Sequence, residues 1–290
     1  MIQKATVGVG IIGKEGSQAK LSSDYAVPKF RMLKRLLVVH GRYSFKRSSQ
    51  FIQYSFYKNI VLTFVQVFFT FYNLFTGQTL IESYTISLYN TIFNLLNPLV
   101  FGLMEKDIDE RFLENSKLGP ILYSNLKKDN ILNAYSFAKW IGSAIIHSAM
   151  IFFITIYSMH NCMSTKGRSV DDLWLVSILA SSNVFCVVNL KCYLEMEHFT
   201  IIHHSAMIFS FLTFYGYSFI YAGLPMLFSS SSMHFVWFEA IKLCRFWLVH
   251  LICVVAPLAF DSIMYGLKIM LYPELYQVLK MQKFSLIEEK

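Results

Sequence analysis

Charged side chains are scarce in this sequence: 15% of its 290 residues are Asp, Glu, Lys or Arg, against roughly 25% in soluble domains. The deficit excludes a disordered chain and argues against an ordinary soluble domain. Cysteine is sparse too, and Cys162, Cys186, Cys192, Cys244 and Cys253 contain no CxxC, are odd in number and lie mostly within apolar runs. They read as buried thiols, not as metal ligands or a disulfide framework. The amino terminus, MIQKATVGVGIIGKEG, lacks the basic start, apolar core and small-residue cleavage site of a signal peptide in the required order. HExxH, zinc-ligand spacings, a nucleophile elbow and GxxxxGK[ST] are all missing, and GIIGKEGS has Gly10, Gly13, Lys14 and Gly16 out of order for a phosphate loop. No catalytic residue and no metal site follow from such a pattern.

What the sequence has in excess is apolar surface: 55% hydrophobic residues, 17% aromatic, 27 of them Phe, and a mean hydropathy of +0.45. The class is therefore an all-α multi-pass membrane protein. Runs near the ~20 residues that cross a hydrocarbon core of ~30 Å fall at 52–74, 85–104, 134–157, 172–190, 201–222 and 246–268, which predicts six transmembrane helices. The formal net charge is +8, and up to Arg47 the basic residues, among them Lys29, Arg31, Lys34, Arg35, Arg42 and Lys46, face only Glu15 and Asp24 as acids. By the positive-inside rule this segment is cytoplasmic, and six spans return the carboxy terminus to the same side. A nucleic-acid arm is the rival reading of a basic stretch, but this one abuts an apolar run directly, as a juxtamembrane collar does, so no nucleic-acid partner is expected. The loop 105–133, with both signs of charge, is then cytoplasmic, while Lys166, Arg168, Lys242 and Arg245 fall on the outer side against the charge rule. Before the spans, Ala5, Val7, Val9 and Ile11 alternate with Thr6, Gly8 and Gly10, the period of a half-buried strand; one strand and a turn cannot bury a core, so the stretch reads as the last piece of a larger α/β domain.

Polar side chains inside the apolar runs carry the functional signal. Asn59, Thr63, Gln66, Thr70 and Asn73 are spaced 4, 3, 4 and 3 apart, one stripe on a helix at about 100° per residue. Asn90, Asn94 and Asn97 repeat the pattern in the next run, followed by Pro98. Such amides serve either as interhelical glue, at about 0.6–2 kcal/mol each, or as the lining of a hydrated groove. Lys58 bears on that choice, because an ammonium about two turns into a span costs about 2.5–3.5 kcal/mol unless it snorkels or is paired. A groove-facing cation predicts an anionic head group as client. His147, the His203–His204 pair and Asp261 are weaker signals: adjacent histidines point about 100° apart on a helix and make a poor metal face, and Asp261, after Pro257, reads as the point where the last helix nears the interface.

The strings VGVGIIGKEGSQAKLSSDYAV, FRMLKRLLVVHGRYSFKR, FYKN, FYNLFTGQTL and SLYNTIFNLLNP resemble the carboxy-terminal part of phospholipid flippases, the lipid-transporting branch of the P-type ATPases. The resemblance is most specific over the first 104 residues and weaker past about 135, where HSAMIFF and the Pro257 to Asp261 spacing echo it. It implies that 1–29 close a phosphorylation domain, that 30–51 form a basic stalk, that 52–268 hold helices five to ten of ten, and that 269–290 are a cytoplasmic tail. It also implies that Lys58, Asn59 and Asn90 handle the lipid head group, with Gln66 and Asn94 as weaker groove-lining positions. Where the family usually has a double proline, Asn97–Pro98 stands here. DKTGT, a DGET-type loop and GDGxND are absent, so the expectation is the membrane half of an ATP-driven translocase that moves phospholipid to the cytoplasmic leaflet. ATP and Mg²⁺ would act in the complete enzyme and not bind this chain alone, which as a fragment should not hydrolyse ATP. Phospholipid, the membrane and an accessory flippase subunit are the implied partners, at the plasma membrane or Golgi and endosomal membranes. The alternative is a non-catalytic flippase-derived protein that scaffolds or binds lipid; a six-span channel has no selectivity motif to support it.

Overall fold

The computed structural model describes residues 4–13, 18–114, 119–122, 124, 132–160, 172–223 and 235–271. Expectations about Lys14, Cys162, Lys166, Arg168 and the tail beyond 271 lie outside them. The chain forms two compact units, one from residues before Ser49 together with 106–131 and 275–290, the other from Ser49–Glu105 and 132–274.

In the first unit β1 (Val9–Ile11) and β2 (Tyr25–Val27) pair in parallel, Val9 opposite Tyr25, with the short helix α1 (Gln18–Leu21) between them in sequence. Gly10 is required: a Cβ there would sit 2.6 Å from Ser23 Oγ and 2.7 Å from the Ala19 carbonyl. The backbone N–H of Gly8 donates to Asp24 Oδ2 at 2.7 Å and fastens the loop before β2. Helix α2 (Met32–Arg35) runs through a π turn (Leu36–His40) into α3 (Gly41–Tyr72). Val39 and Tyr43 pack with Leu113 of α6 (Glu110–Glu114) and with Ile108 and Leu122 on either side of it in sequence. The Tyr43 hydroxyl donates to the Ile108 carbonyl, and burial, then the nearby Asp107 charge, pushes its phenol up to about 12.

The second unit is a helical bundle. Five described segments are long and apolar enough to cross a membrane: Ser83–Met104, α7 (Ala134–Met159), α8 (Leu173–Leu194), α9 (Ile201–Gly223) and α11 (Cys244–Leu271). The first of these is α4 (Ser83–Leu88), a π turn (Tyr89–Phe93) and α5 (Leu96–Met104) in succession. The expected span 52–74 is the distal part of the 32-residue α3, which carries the polar stripe and is not among the five. α8 is the most enclosed of them, 78% buried, and its Leu179, Val184, Phe185 and Val187 are sealed in the core. The short α10 (Val236–Lys242) precedes α11. Cys186, Cys192 and Cys253 are buried and Cys244 is exposed, all as free thiols.

The turn between α3 and α4 places Leu74, Phe75 and Gly77 at positive φ, conformations that cost non-glycine residues energy. Side chains offset this: Asn73 Oδ1 accepts from Thr76 N and its Nδ2 donates to the Gln78 carbonyl. The buried Glu82 carboxylate then caps α4 by accepting from Tyr84 N at 2.8 Å and Thr85 N at 3.1 Å, satisfying donors that a helix start leaves open.

Candidate functional site

The site begins with a missing hydrogen bond. In a helix each N–H bonds the carbonyl four residues back, and Pro98 has none to give, so the Asn94 carbonyl has no helical donor. Just before it the ladder has already slipped, since Asn94 N bonds the Tyr89 carbonyl five residues back, a π turn. Lys58 Nζ fills the gap and donates to the Asn94 carbonyl at 3.2 Å. In return the Tyr89 hydroxyl donates to the Lys58 carbonyl at 3.1 Å. The helix break and the cation are therefore one feature.

Lys58 is 8% exposed, and among the described residues no carboxylate pairs with it. An ammonium offers three donors, and one hydrogen bond to a neutral carbonyl leaves its charge uncompensated. Directly beside it on α3, Asn59 accepts from Asn90 Nδ2 at 2.9 Å, and this amide pair is exposed. Thr63, Ser87 and Thr91 are exposed as well, but their hydroxyls donate to carbonyls of their own helices. The result is a polar strip at the depth of the spans, with amides at its surface and a cation behind them.

Lys58, Asn59 and Asn90 are thus brought together, while the two weaker positions are used differently. Gln66 Oε1 accepts from Leu80 N at 3.0 Å and holds the turn after α3. Asn94 is sealed inside, and its Oδ1 accepts from Asn189 Nδ2 at 2.6 Å. Asn189 Oδ1 in turn accepts from Asn97 Nδ2 at 2.5 Å. The spacing of 90 and 94 predicts one shared face; the π turn changes the rotation per residue, so Asn90 faces out and Asn94 in.

Sequence reading also missed a buried polar cluster. Asp261, expected near the interface, lies with Oδ2 2.7 Å from Lys191 Nζ and Oδ1 3.3 Å from His147 Nε2. His147 Nδ1 hydrogen-bonds the Tyr57 hydroxyl at 2.7 Å. Lys191 follows Asn189 by two residues in an apolar stretch, and that placement was the one signal that could have found it.

A sequence profile described as the carboxy-terminal region of phospholipid-translocating P-type ATPases matches residues 20–274. The chain is similar to phospholipid-transporting ATPase DRS2 of Saccharomyces cerevisiae, 33% identical over 100% of this chain and 21% of that protein. It is similar also to phospholipid-transporting ATPase IH of Homo sapiens, 32% identical over 90% of this chain and 23% of that protein, and to phospholipid-transporting ATPase 2 of Arabidopsis thaliana, 30% identical over 88% and 22%. The chain spans about a fifth of the length of these relatives.

Proposed function

Because the chain belongs to the phospholipid-translocating P-type ATPases, matching their carboxy-terminal membrane region, we propose that it forms the lipid-handling membrane half of an ATP-driven phospholipid translocase. The observation that carries this reading is Lys58, whose one hydrogen bond among the described residues, to the carbonyl freed by Pro98, neutralises none of its charge, set beside the exposed Asn59–Asn90 pair. A phosphodiester supplies the missing negative charge, and the two amides offer both donors and acceptors to the rest of a head group. Lipid arriving at the strip would draw the ammonium off the Asn94 carbonyl, loosening the α4–α5 break at the moment of binding. Gln66 and Asn94 then act on the shape of the groove, one through the turn after α3 and the other through Asn189.

In this reading the distal part of α3 is the first of six spans, both termini are cytoplasmic, and residues 1–29 with their parallel strand pair belong to a phosphorylation domain. Residues 30–51 are the stalk, 52–268 the membrane domain and 269–290 the tail. ATP and Mg²⁺ act elsewhere in the complete protein: neither DKTGT nor GDGxND occurs in these 290 residues, so no step is assigned to nucleotide here. An accessory subunit, and residence in the plasma membrane or Golgi and endosomal membranes, follow from the family alone.

The test is lipid activation of ATP hydrolysis by the full-length protein containing this chain. Lys58→Ala is expected to raise the half-activating phospholipid concentration about tenfold, the loss of one charge-assisted contact of about 1.5 kcal/mol. Asn90→Ala is expected to raise it about threefold, at the low end of hydrogen-bond contributions. Unchanged lipid activation in both variants would remove the assignment.

A further inference from the structure

The groove reading leaves one feature without a role, the buried ionic cluster behind Lys58. It draws on four helices: Tyr57 from α3, His147 from α7, Lys191 from α8 and Asp261 from α11. The contacts run in sequence, 2.7 Å from the Tyr57 hydroxyl to His147 Nδ1, 3.3 Å from His147 Nε2 to Asp261 Oδ1, and 2.7 Å from Asp261 Oδ2 to Lys191 Nζ. Lys191 also reaches Glu195 Oε1 at 2.6 Å and stands over the Trp140 ring at 5.2 Å. Tyr57 and His147 are fully buried, and the Tyr57 ring meets those of His147 and Trp140 edge-on.

Stability alone is a poor reason for such an arrangement, because buried ion pairs often stabilise no more than apolar residues of the same volume. Its position supplies a better one. Tyr57 precedes Lys58 in sequence, so fixing the Tyr57 hydroxyl fixes the rotation of α3 and hence the direction of Lys58 about 100° away. The other end of the Lys58 contact is held from the same source: α8 carries Asn189 two residues before Lys191, and Asn189 grips Asn94, whose carbonyl takes the ammonium. Both partners of the Lys58–Asn94 contact are therefore referred to one turn of α8.

We propose that Lys191, Asp261, His147 and Tyr57 form a positioning device that sets the azimuth of α3 and so places Lys58 for the head group. None of the four touches lipid in this assignment, which rests on the proposed lipid-handling role of Lys58 for its consequence but not for its geometry.

The experiment separates the two. In the full-length protein, Asn59→Cys with Asn90→Cys places two thiols where an amide pair now meets, and the rate of oxidant-driven bridging between them, read by mass spectrometry of the linked peptide, reports the azimuth of α3 directly. His147→Leu, and Lys191→Met combined with Asp261→Leu, are each expected to slow bridging at least about tenfold, given that a misplacement of about 1 Å can cost about a hundredfold in rate. The combined variant removes both charges and leaves neither one buried alone, so it remains informative where a single replacement fails to fold. Without the added cysteines, the same variants are expected to raise the half-activating concentration of phosphatidylserine vesicles about fivefold while the maximal ATPase rate stays within about twofold. Lys191→Arg, which keeps the charge, is expected to leave the half-activating concentration close to that of the unmodified protein. An unchanged bridging rate, or a fall in maximal rate at unchanged half-activation, overturns the proposal. Lipid activation that ignores Lys58→Ala would instead refute the proposed function, and the bridging rate would still decide the positioning role.

Discussion

Asp107→Ala is expected to destabilise the first unit by about 3–5 kcal/mol, the cost of leaving a buried cation without its partner. The carboxylate is 6% exposed, and its Oδ2 accepts from Arg42 Nη2 at 2.7 Å and from Arg42 Nε at 3.1 Å, with Lys46 Nζ at 3.6 Å. Its Oδ1 accepts from the Ile108 N–H at 2.9 Å. Arg42 is 5% exposed and donates also to the Leu122 carbonyl at 3.0 Å, so it cannot swing into water when Asp107 is lost. By contrast the Arg35 pairs with Glu110 and Glu114 are half-exposed, and Glu114→Ala is expected to cost under about 1 kcal/mol. Thermal unfolding of the detergent-solubilised protein, followed by proteolysis within 106–131, measures both. Equal losses in the two variants would show that burial of the Arg42 pair has no energetic weight.

The same carboxylate sets an acid limit. Burial alone raises its pKa, but the Lys46 and Arg42 charges and the Arg42 hydrogen bonds outweigh it and hold the group below the usual carboxylate range. A folded-state pKa below the unfolded one contributes stability that is present above the unfolded value, near 4, and is lost as pH falls through the folded value. The difference in stability between the protein and its Asp107→Asn variant should therefore be flat above about pH 5 and shrink below about pH 4. A difference that grows on acidification would contradict the pairing.

Asn189→Leu is the second large effect, expected at about 2–4 kcal/mol. The substitution leaves Asn94 Oδ1 and the Asn97 amide facing an apolar shell, and each orphaned group costs about 1–3 kcal/mol. Hydrogen bonds between transmembrane helices average nearer 0.6 kcal/mol, because a lipid-facing group finds other partners on unfolding. Asn94 and Asn97 are 0% and 2% exposed, and among the described residues Asn97 Nδ2 retains only the Met207 sulfur at 3.4 Å, a weak acceptor. Denaturant titration in bicelles distinguishes the two scales, with a loss at the transmembrane average counting against a sealed network. Asn94→Leu combined with Asn189→Leu should cost less than the sum of the single changes, since each already breaks the shared bond.

Much of this protein is local and was open to reading along the chain. Apolar runs become membrane helices because no water is present to satisfy a bare backbone, a rule that needs no tertiary contact. Lys58 stands out by the cost of a charge within such a run, and Pro98 breaks its helix through chemistry confined to four residues. The excess of basic over acidic residues up to Arg47 follows from charge counting alone. What the three-dimensional arrangement decided is which of the polar groups meet. Gln66 and Asn59 lie on one stripe, yet one ties a turn and the other shares an exposed bond with Asn90. Asn90 and Asn94 are four residues apart, yet a π turn sends them to opposite environments. Tyr57, His147, Lys191 and Asp261 come from four helices separated by 44 to 90 residues in sequence. No periodicity links such residues, because only the packing of the bundle brings them within hydrogen-bond distance. Sequence alone determined which runs are apolar and which charge stands among them, whereas tertiary packing decided what that charge is held against, since a buried polar group takes whatever partner the neighbouring helix presents.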